Sequence, residues 1–178
     1  MNLDILAITI LQQFSNPIFD AISSALDLLF EYLIILLFTF IIYLWKKKNF
    51  FVVFLASLTT FATSFFIKEI IARPRPTVEV HGLITSINSF SFPSAHTAIA
   101  FTLAVLLSKY YPKYKIIFYV LAIITAITRI YSGAHYLSDV IGGAILGIAI
   151  GYVFLIKEKK ILGLEAKIHK QLKSIFKI

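Results

Sequence analysis

Three stretches of the chain, 28–45, 49–67 and 140–156, carry one charge between them, Glu31. A helix needs roughly 20 apolar residues to cross the hydrocarbon core of a bilayer, and these stretches approach or reach that length. With 59% hydrophobic residues and a mean hydropathy of +0.88, the 178-residue chain is far more apolar than a soluble domain of its size requires. It is read as a membrane protein.

Two further segments, 97–108 and 116–128, are short by the same measure. They reach full length if 93–96 and 129–135 belong to the same helices, which places the polar residues of those extensions at helix ends, facing protein interior or water. The expected fold class is all-α: a polytopic membrane helix bundle of about five transmembrane helices with amphipathic N- and C-terminal helices, forming a single domain over 1–178. Residues 1–24 lack the basic region of a signal peptide and mix apolar with polar residues too freely to span. They are expected as a retained interfacial helix, with Asn16-Pro17 as the break before the next one.

The distribution of the net charge of +8 argues for a bilayer and against nucleic acid. Lys46, Lys47 and Lys48 follow the first span, Lys109, Lys113 and Lys115 the third, and Lys157, Lys159 and Lys160 the fifth. With five spans these clusters share one side, which the positive-inside rule makes cytoplasmic. In 157–178, Ile161, Leu164, Ile168 and Leu172 recur at helical spacing among lysines, as in a basic amphipathic tail on the cytoplasmic leaflet. The expected location is the inner (cytoplasmic) membrane, multi-pass. The absence of cysteine decides no redox compartment.

Three clusters fall on the opposite, outward side. In "KEIIARPRP", Lys68 closes the second span and Arg75-Pro76 follows; fixed cations beside stiffening prolines suit an anion with several oxygens. In "PSAHT", 93–97, Pro93 and Ser94 are helix-start residues, so first-turn N–H groups, the Ser94 hydroxyl and the positive helix end all suit an anion, with His96 in the same turn. In "TRIYSGAHYLSD", 128–139, Arg129 ends the fourth span and Gly133 permits a turn. His135 and Asp139 share a helical face if the fifth helix begins near Ser132. A carboxylate accepting from one imidazole nitrogen fixes the tautomer and frees the other as a nucleophile. Singly, a span-end cation is usually a snorkelling anchor and Ser-Ala-His a helix cap; their convergence on one membrane face describes a phosphate site.

The order Lys-x6-Arg-Pro, Pro-Ser-x-His, Arg-x5-His-x3-Asp resembles the signature of the type 2 phosphatidic acid phosphatase family of integral-membrane lipid phosphatases. Ala95 stands where that family usually has glycine and Thr128 where it has serine; alanine keeps the backbone N–H and threonine the hydroxyl. The resemblance implies that His135 attacks phosphorus and forms a phosphohistidine, oriented by Asp139. It implies that His96 protonates the leaving oxygen and then activates water, while Lys68, Arg75, Ser94, the Ala95 N–H and Arg129 bind the phosphoryl oxygens. No metal or other cofactor is expected, since three fixed cations do the work of a divalent ion. Relatives of this size act on phosphatidylglycerophosphate, undecaprenyl diphosphate or the 1-phosphate of lipid A, and the sequence does not rank these. Transfer of the phosphoryl group to another lipid, and a phosphate-lipid binder without turnover, are the alternatives.

Other residues receive smaller roles. Arg73 is expected to meet the lipid head group or a carboxylate such as Glu79. Asp27 and Glu31 are expected as a structural pair with such a cation, and His81 at the surface. Residues 77–92 fit a lid or a plain connection equally. Gly143, Gly147 and Gly151, with Gly142 adjacent, form a small-residue face expected to pack the bundle of a monomer rather than build a dimer.

Overall fold

A computed structural model describes residues 3–25, 49–76 and 89–176. The helices are α1 (Leu3–Gln12), α2 (Pro17–Ala25), α3 (Phe50–Ile71), α4 (Ala95–Tyr110), α5 (Lys115–Tyr131) and α6 (Leu137–Phe176). No strand occurs among the described residues. The expected spans 49–67 and 140–156 lie within α3 and α6, while the expected span 28–45, with Asp27 and Glu31, lies outside the described residues.

The bundle is arranged inside out relative to a soluble protein. Polar side chains at Thr60, Ser64, Lys68, Thr97, Thr102, Arg129 and Asp139 are buried, whereas Phe66, Ile70, Ile116 and Ile156 are exposed. That distribution is stable in lipid, where apolar surface costs nothing to expose and polar groups need internal partners. At mid-bundle, Thr60 Oγ1 and Thr102 Oγ1 lie 2.9 Å apart, and Thr102 Oγ1 donates to the Gly147 carbonyl at 3.0 Å. Three helices are thereby joined by hydroxyls, the polar glue of membrane interfaces.

Helix α6 seats on α4 through glycine. A Cβ added at Gly147 would lie 2.1 Å from the Ala98 carbonyl oxygen, and one at Gly143 would lie 2.5 Å from that of Ser94. The glycine face is therefore consumed inside the chain, in agreement with the expectation of bundle packing. This close approach brings the start of α4 against the start of α6, and the Ser94 N–H donates to the Asp139 carbonyl at 3.0 Å.

The N-terminal segment is helical, as expected. Asn16 does mark the break: its Oδ1 accepts from the N–H groups of Ile18 and Phe19, and Pro17 starts α2. Helix α1 is docked into the bundle, with Ile8 fully buried against Ala126, Ile130 and Val140. Its mix of polar and apolar residues gives the helix one apolar face for α5 and α6 and one carboxylate, Asp4, for the start of α6. The tail is helical as well. Rather than forming a separate amphipathic helix, it continues α6 to Phe176, and Ile161 and Leu162 pack against the cluster of Val52, Ala56 and Leu106.

Candidate active site

The four apolar helices present ionisable groups at one end of the bundle. Lys68 occupies the last turn of α3, His96 the first turn of α4, Arg129 the last turn of α5 and Asp139 the first turn of α6. The lysine-rich ends lie at the other pole. Side chains of this kind are buried only where partners compensate them, and here the partners come from three stretches, the two described parts of the α3–α4 connection and the α5–α6 turn.

The first is 72–76. Helix α3 ends at Ala72, whose positive φ of 49° and N–H bond to the Lys68 carbonyl form a left-handed cap. The chain then turns Arg73 and Arg75 inward. Arg75 donates from Nη1 to the Ala134 carbonyl at 2.8 Å and lies 3.5 Å from His135 Nε2. It also donates from Nε to the Ser89 carbonyl and from Nη2 to the Ser89 hydroxyl.

The second is 89–94. Lys68 Nζ donates to the carbonyls of Phe90 and Ser91. The Ser91 N–H and hydroxyl donate in turn to the carbonyls of Arg73 and Pro74. Ser89 and Ser91 thus hold both motif cations in place. No sequence signal marked them, because their role is a long-range pairing of two stretches. Ser94 caps α4 as its composition implies: its Oγ accepts from the Thr97 N–H and, at 3.0 Å, from the Thr97 hydroxyl. Its own proton remains to donate, beside the N–H of Ala95, the first residue of the helix.

The third is 132–136. The expectation that His135 and Asp139 share a helical face is corrected, since α5 ends at Tyr131 and α6 begins at Leu137. His135 lies in the turn between them, with Gly133 at φ 65° and the His135 N–H bonded to the Arg129 carbonyl. The two side chains still meet, His135 Nδ1 standing 3.6 Å from Asp139 Oδ2. Asp139 Oδ2 also accepts from the Tyr136 N–H at 2.9 Å, the backward arm of a capping box. One carboxylate thus caps helix α6 and stands beside the His135 ring.

Burial, with the Asp139 hydrogen bond opposing it and the charges of Arg75 and Lys68 adding to it, pushes the His135 imidazole down to about 4. The ring is therefore neutral at neutral pH, with Nδ1 toward the carboxylate and Nε2 toward Arg75. His96 stands within electrostatic reach of His135, Arg75 and Lys68, and Arg129 is buried at the end of α5. The expected site residues thus gather at one end of the bundle.

Arg73 is corrected as well. Glu79 and His81 lie outside the described residues; Arg73 instead bridges two carboxylates, Nη1 to Asp139 Oδ1 at 2.6 Å and Nη2 to Asp4 Oδ2 at 2.8 Å. Its guanidinium lies over the Tyr136 ring, 4.0 Å from the centroid. Although burial opposes them, the hydrogen bonds from Ser138 and Arg73 hold the Asp4 carboxyl below its usual range.

Residues 49–161 match the family model described as the PAP2 superfamily. Among curated proteins, a lipid A 4'-phosphatase of Bacteroides thetaiotaomicron is 34% identical over 123 residues, 62% of this chain and 55% of that protein. This chain therefore spans about half the length of that relative. Among solved structures, Aquifex aeolicus LpxE superposes with a TM-score of 0.73 at 27% identity, covering 87% of this chain and 96% of that one. The PAP2 type phosphatidylglycerolphosphate phosphatase of Bacillus subtilis superposes with a TM-score of 0.71 at 26% identity, covering 89% and 85%.

Proposed function

The chain belongs to the PAP2 superfamily, and on that premise we propose that it is a metal-independent membrane lipid phosphatase working through a phosphohistidine. The observation that carries this reading is the placement of a neutral His135 between the Asp139 carboxylate and the Arg75 guanidinium. One ring nitrogen stands 3.6 Å from a carboxylate oxygen, while the other faces a phosphate-binding cation.

The steps follow from that arrangement. The lipid phosphate binds among Lys68, Arg75, Arg129, the Ser94 hydroxyl and the Ala95 N–H, replacing the carbonyls that Lys68 and Arg75 hold in the free protein. The Nε2 lone pair of His135 forms a P–N bond as the P–O bond to the lipid breaks, and His96 gives its proton to the departing oxygen. Asp139 stabilises the positive charge gained by the ring without taking its proton. Water then attacks phosphorus, His96 accepts its proton, the P–N bond breaks and inorganic phosphate leaves. The fixed cations neutralise the equatorial oxygens, where most of the rate enhancement of phosphoryl transfer arises.

Because the site lies at the pole opposite the lysine clusters, it faces the periplasm or exterior, and the substrate is a lipid anchored beside it. The named relatives support a lipid phosphomonoester, lipid A phosphate or phosphatidylglycerophosphate, and undecaprenyl diphosphate is the third candidate, from the motif resemblance. The test is phosphate release by the purified protein in detergent from each of these lipids. Release from one or more, lost in His135→Ala, supports the reading; no release from any of them contradicts it.

A further inference from the structure

We infer that Asp4 and Arg73 form a clamp that positions the Asp139 carboxylate for His135, making α1 a working part of the site. The inference rests on Asp139 orienting His135, as in the proposed mechanism, and extends it to two residues that occupy no fixed position of the three motifs.

A carboxylate in the first turn of a helix is free to rotate unless both oxygens are engaged. Here Oδ2 is held by the Tyr136 N–H and Oδ1 by Arg73 Nη1, so the edge that faces His135 Nδ1 is fixed. Arg73 is itself over-determined: Nη1 also donates to the Ser138 hydroxyl at 2.7 Å, Nη2 to Asp4, and its face lies on Tyr136. Asp4 closes the loop. It accepts from the Ser138 N–H and from the Ser138 hydroxyl, both at 2.8 Å, placing a negative charge on the N-terminus of α6, where the helix dipole favours it. Ile8, buried one turn along α1, holds the helix at that distance.

The charges explain why this fourth inward cation does not compete for substrate. Lys68 and Arg75 bond to neutral carbonyls and a hydroxyl, with no ion pair to a carboxylate among the described residues, so their charge stays available to a phosphate. Arg73 is neutralised between two carboxylates. Removing the Asp4 charge would leave Arg73 with Asp139 as its one carboxylate and release the Nη2 side of the guanidinium, which keeps it from following the carboxylate. The ring of His135 would then sample both tautomers, and the productive one would be less populated.

The experiment compares purified full-length wild type with Asp4→Asn and Arg73→Lys on the lipid that wild type hydrolyses, alone and in the Asp139→Asn background, together with nitrogen-15 NMR of the histidine rings. The expected result is a fall in kcat of about tenfold with KM within about twofold, the size typical of losing a partner that orients a functional histidine. The effect should vanish when Asp139 is already Asn, and the His135 spectrum should change from one ring tautomer to a mixture. Arg73→Lys keeps the charge and loses the two-pronged geometry, so it carries the same expectation if Asp4→Asn proves too unstable to assay. A folded variant with wild-type kcat, or a loss that persists undiminished in the Asp139→Asn background, overturns the clamp. A wild type inactive on every lipid overturns the phosphatase reading instead, and the nitrogen spectrum still decides the clamp: a single tautomer retained in both variants overturns it.

Discussion

The backbone N–H of Ser94 donates to the carbonyl of Asp139 at 3.0 Å, so the helix that would receive the phosphate and the helix that orients its nucleophile are tied at their first turns. The tie exists because Gly143 and Gly147 let α6 lie directly on the backbone of α4.

Gly147→Ala should therefore be costly for so small a change. Its Cβ would sit 2.1 Å from the Ala98 carbonyl, and forced separation of packed elements costs about 1–3 kcal/mol. Gly163→Ala is the control, with nothing within 4 Å of its Cβ; alanine there should stabilise the exposed helix by roughly 0.5–1 kcal/mol. Thermal unfolding in detergent should show a lower midpoint for the first variant and an unchanged or higher one for the second.

Thr102→Val keeps the shape of the side chain and deletes the hydroxyl that meets Thr60 Oγ1 and the Gly147 carbonyl. Interhelical hydrogen bonds in membranes contribute about 1 kcal/mol. Stability measured by denaturant titration in detergent should fall by that order while KM is retained, because the hydroxyl lies at mid-bundle, away from the site.

The pH dependence follows from His135. Its folded pKa of about 4 lies below the ordinary value of 6.5, so the nucleophile is already neutral at neutral pH. The His135 ring, followed by nitrogen-15 NMR, should gain its proton only as pH drops through about 4; a midpoint near 6.5 would contradict the buried, cation-flanked placement. The linked contribution to stability has the same sign. It is fully present above the unfolded value and is lost as pH falls from there through the folded one.

Phosphate release should be indifferent to excess chelator. Charge neutralisation is assigned to Lys68, Arg75 and Arg129, and EDTA-treated protein should retain its wild-type rate. A rate restored only by an added divalent cation would show that the side-chain cations are not sufficient.

The apolar helices at 49–67, 97–108, 116–128 and 140–156 and the motifs were legible because each rests on local spacing: apolar runs, Pro-Ser before a helix, Lys-x6-Arg along one segment. Lysine asymmetry was enough to bring Lys68, His96, Arg129 and His135 to one pole. Proximity of His135 to Asp139 was anticipated with the wrong local structure, because Gly133 ends the continuity that a four-residue spacing presupposed. The partners Asp4, Ser89, Ser91 and Ser138 were not legible. They act across the chain, and a carboxylate at position 4 gives no local sign that it will meet an arginine at 73. Arg73 was expected to find a carboxylate; which one depended on how α1 docks, and that is set by Ile8 packing on Ala126 and Ile130.

The most direct test of the account is to trap the intermediate. Protein mixed with a lipid bearing labelled phosphate and quenched in alkali within the first turnover should carry label that is stable to base and released by acid, as expected of a phosphoramidate. His96→Ala, slowed in both formation and hydrolysis of the P–N bond, should gain label more slowly and lose it more slowly than wild type. His135→Ala should carry none. Label retained in His135→Ala, or lipid hydrolysis by wild type with no labelled protein at any time, would contradict nucleophilic attack by His135.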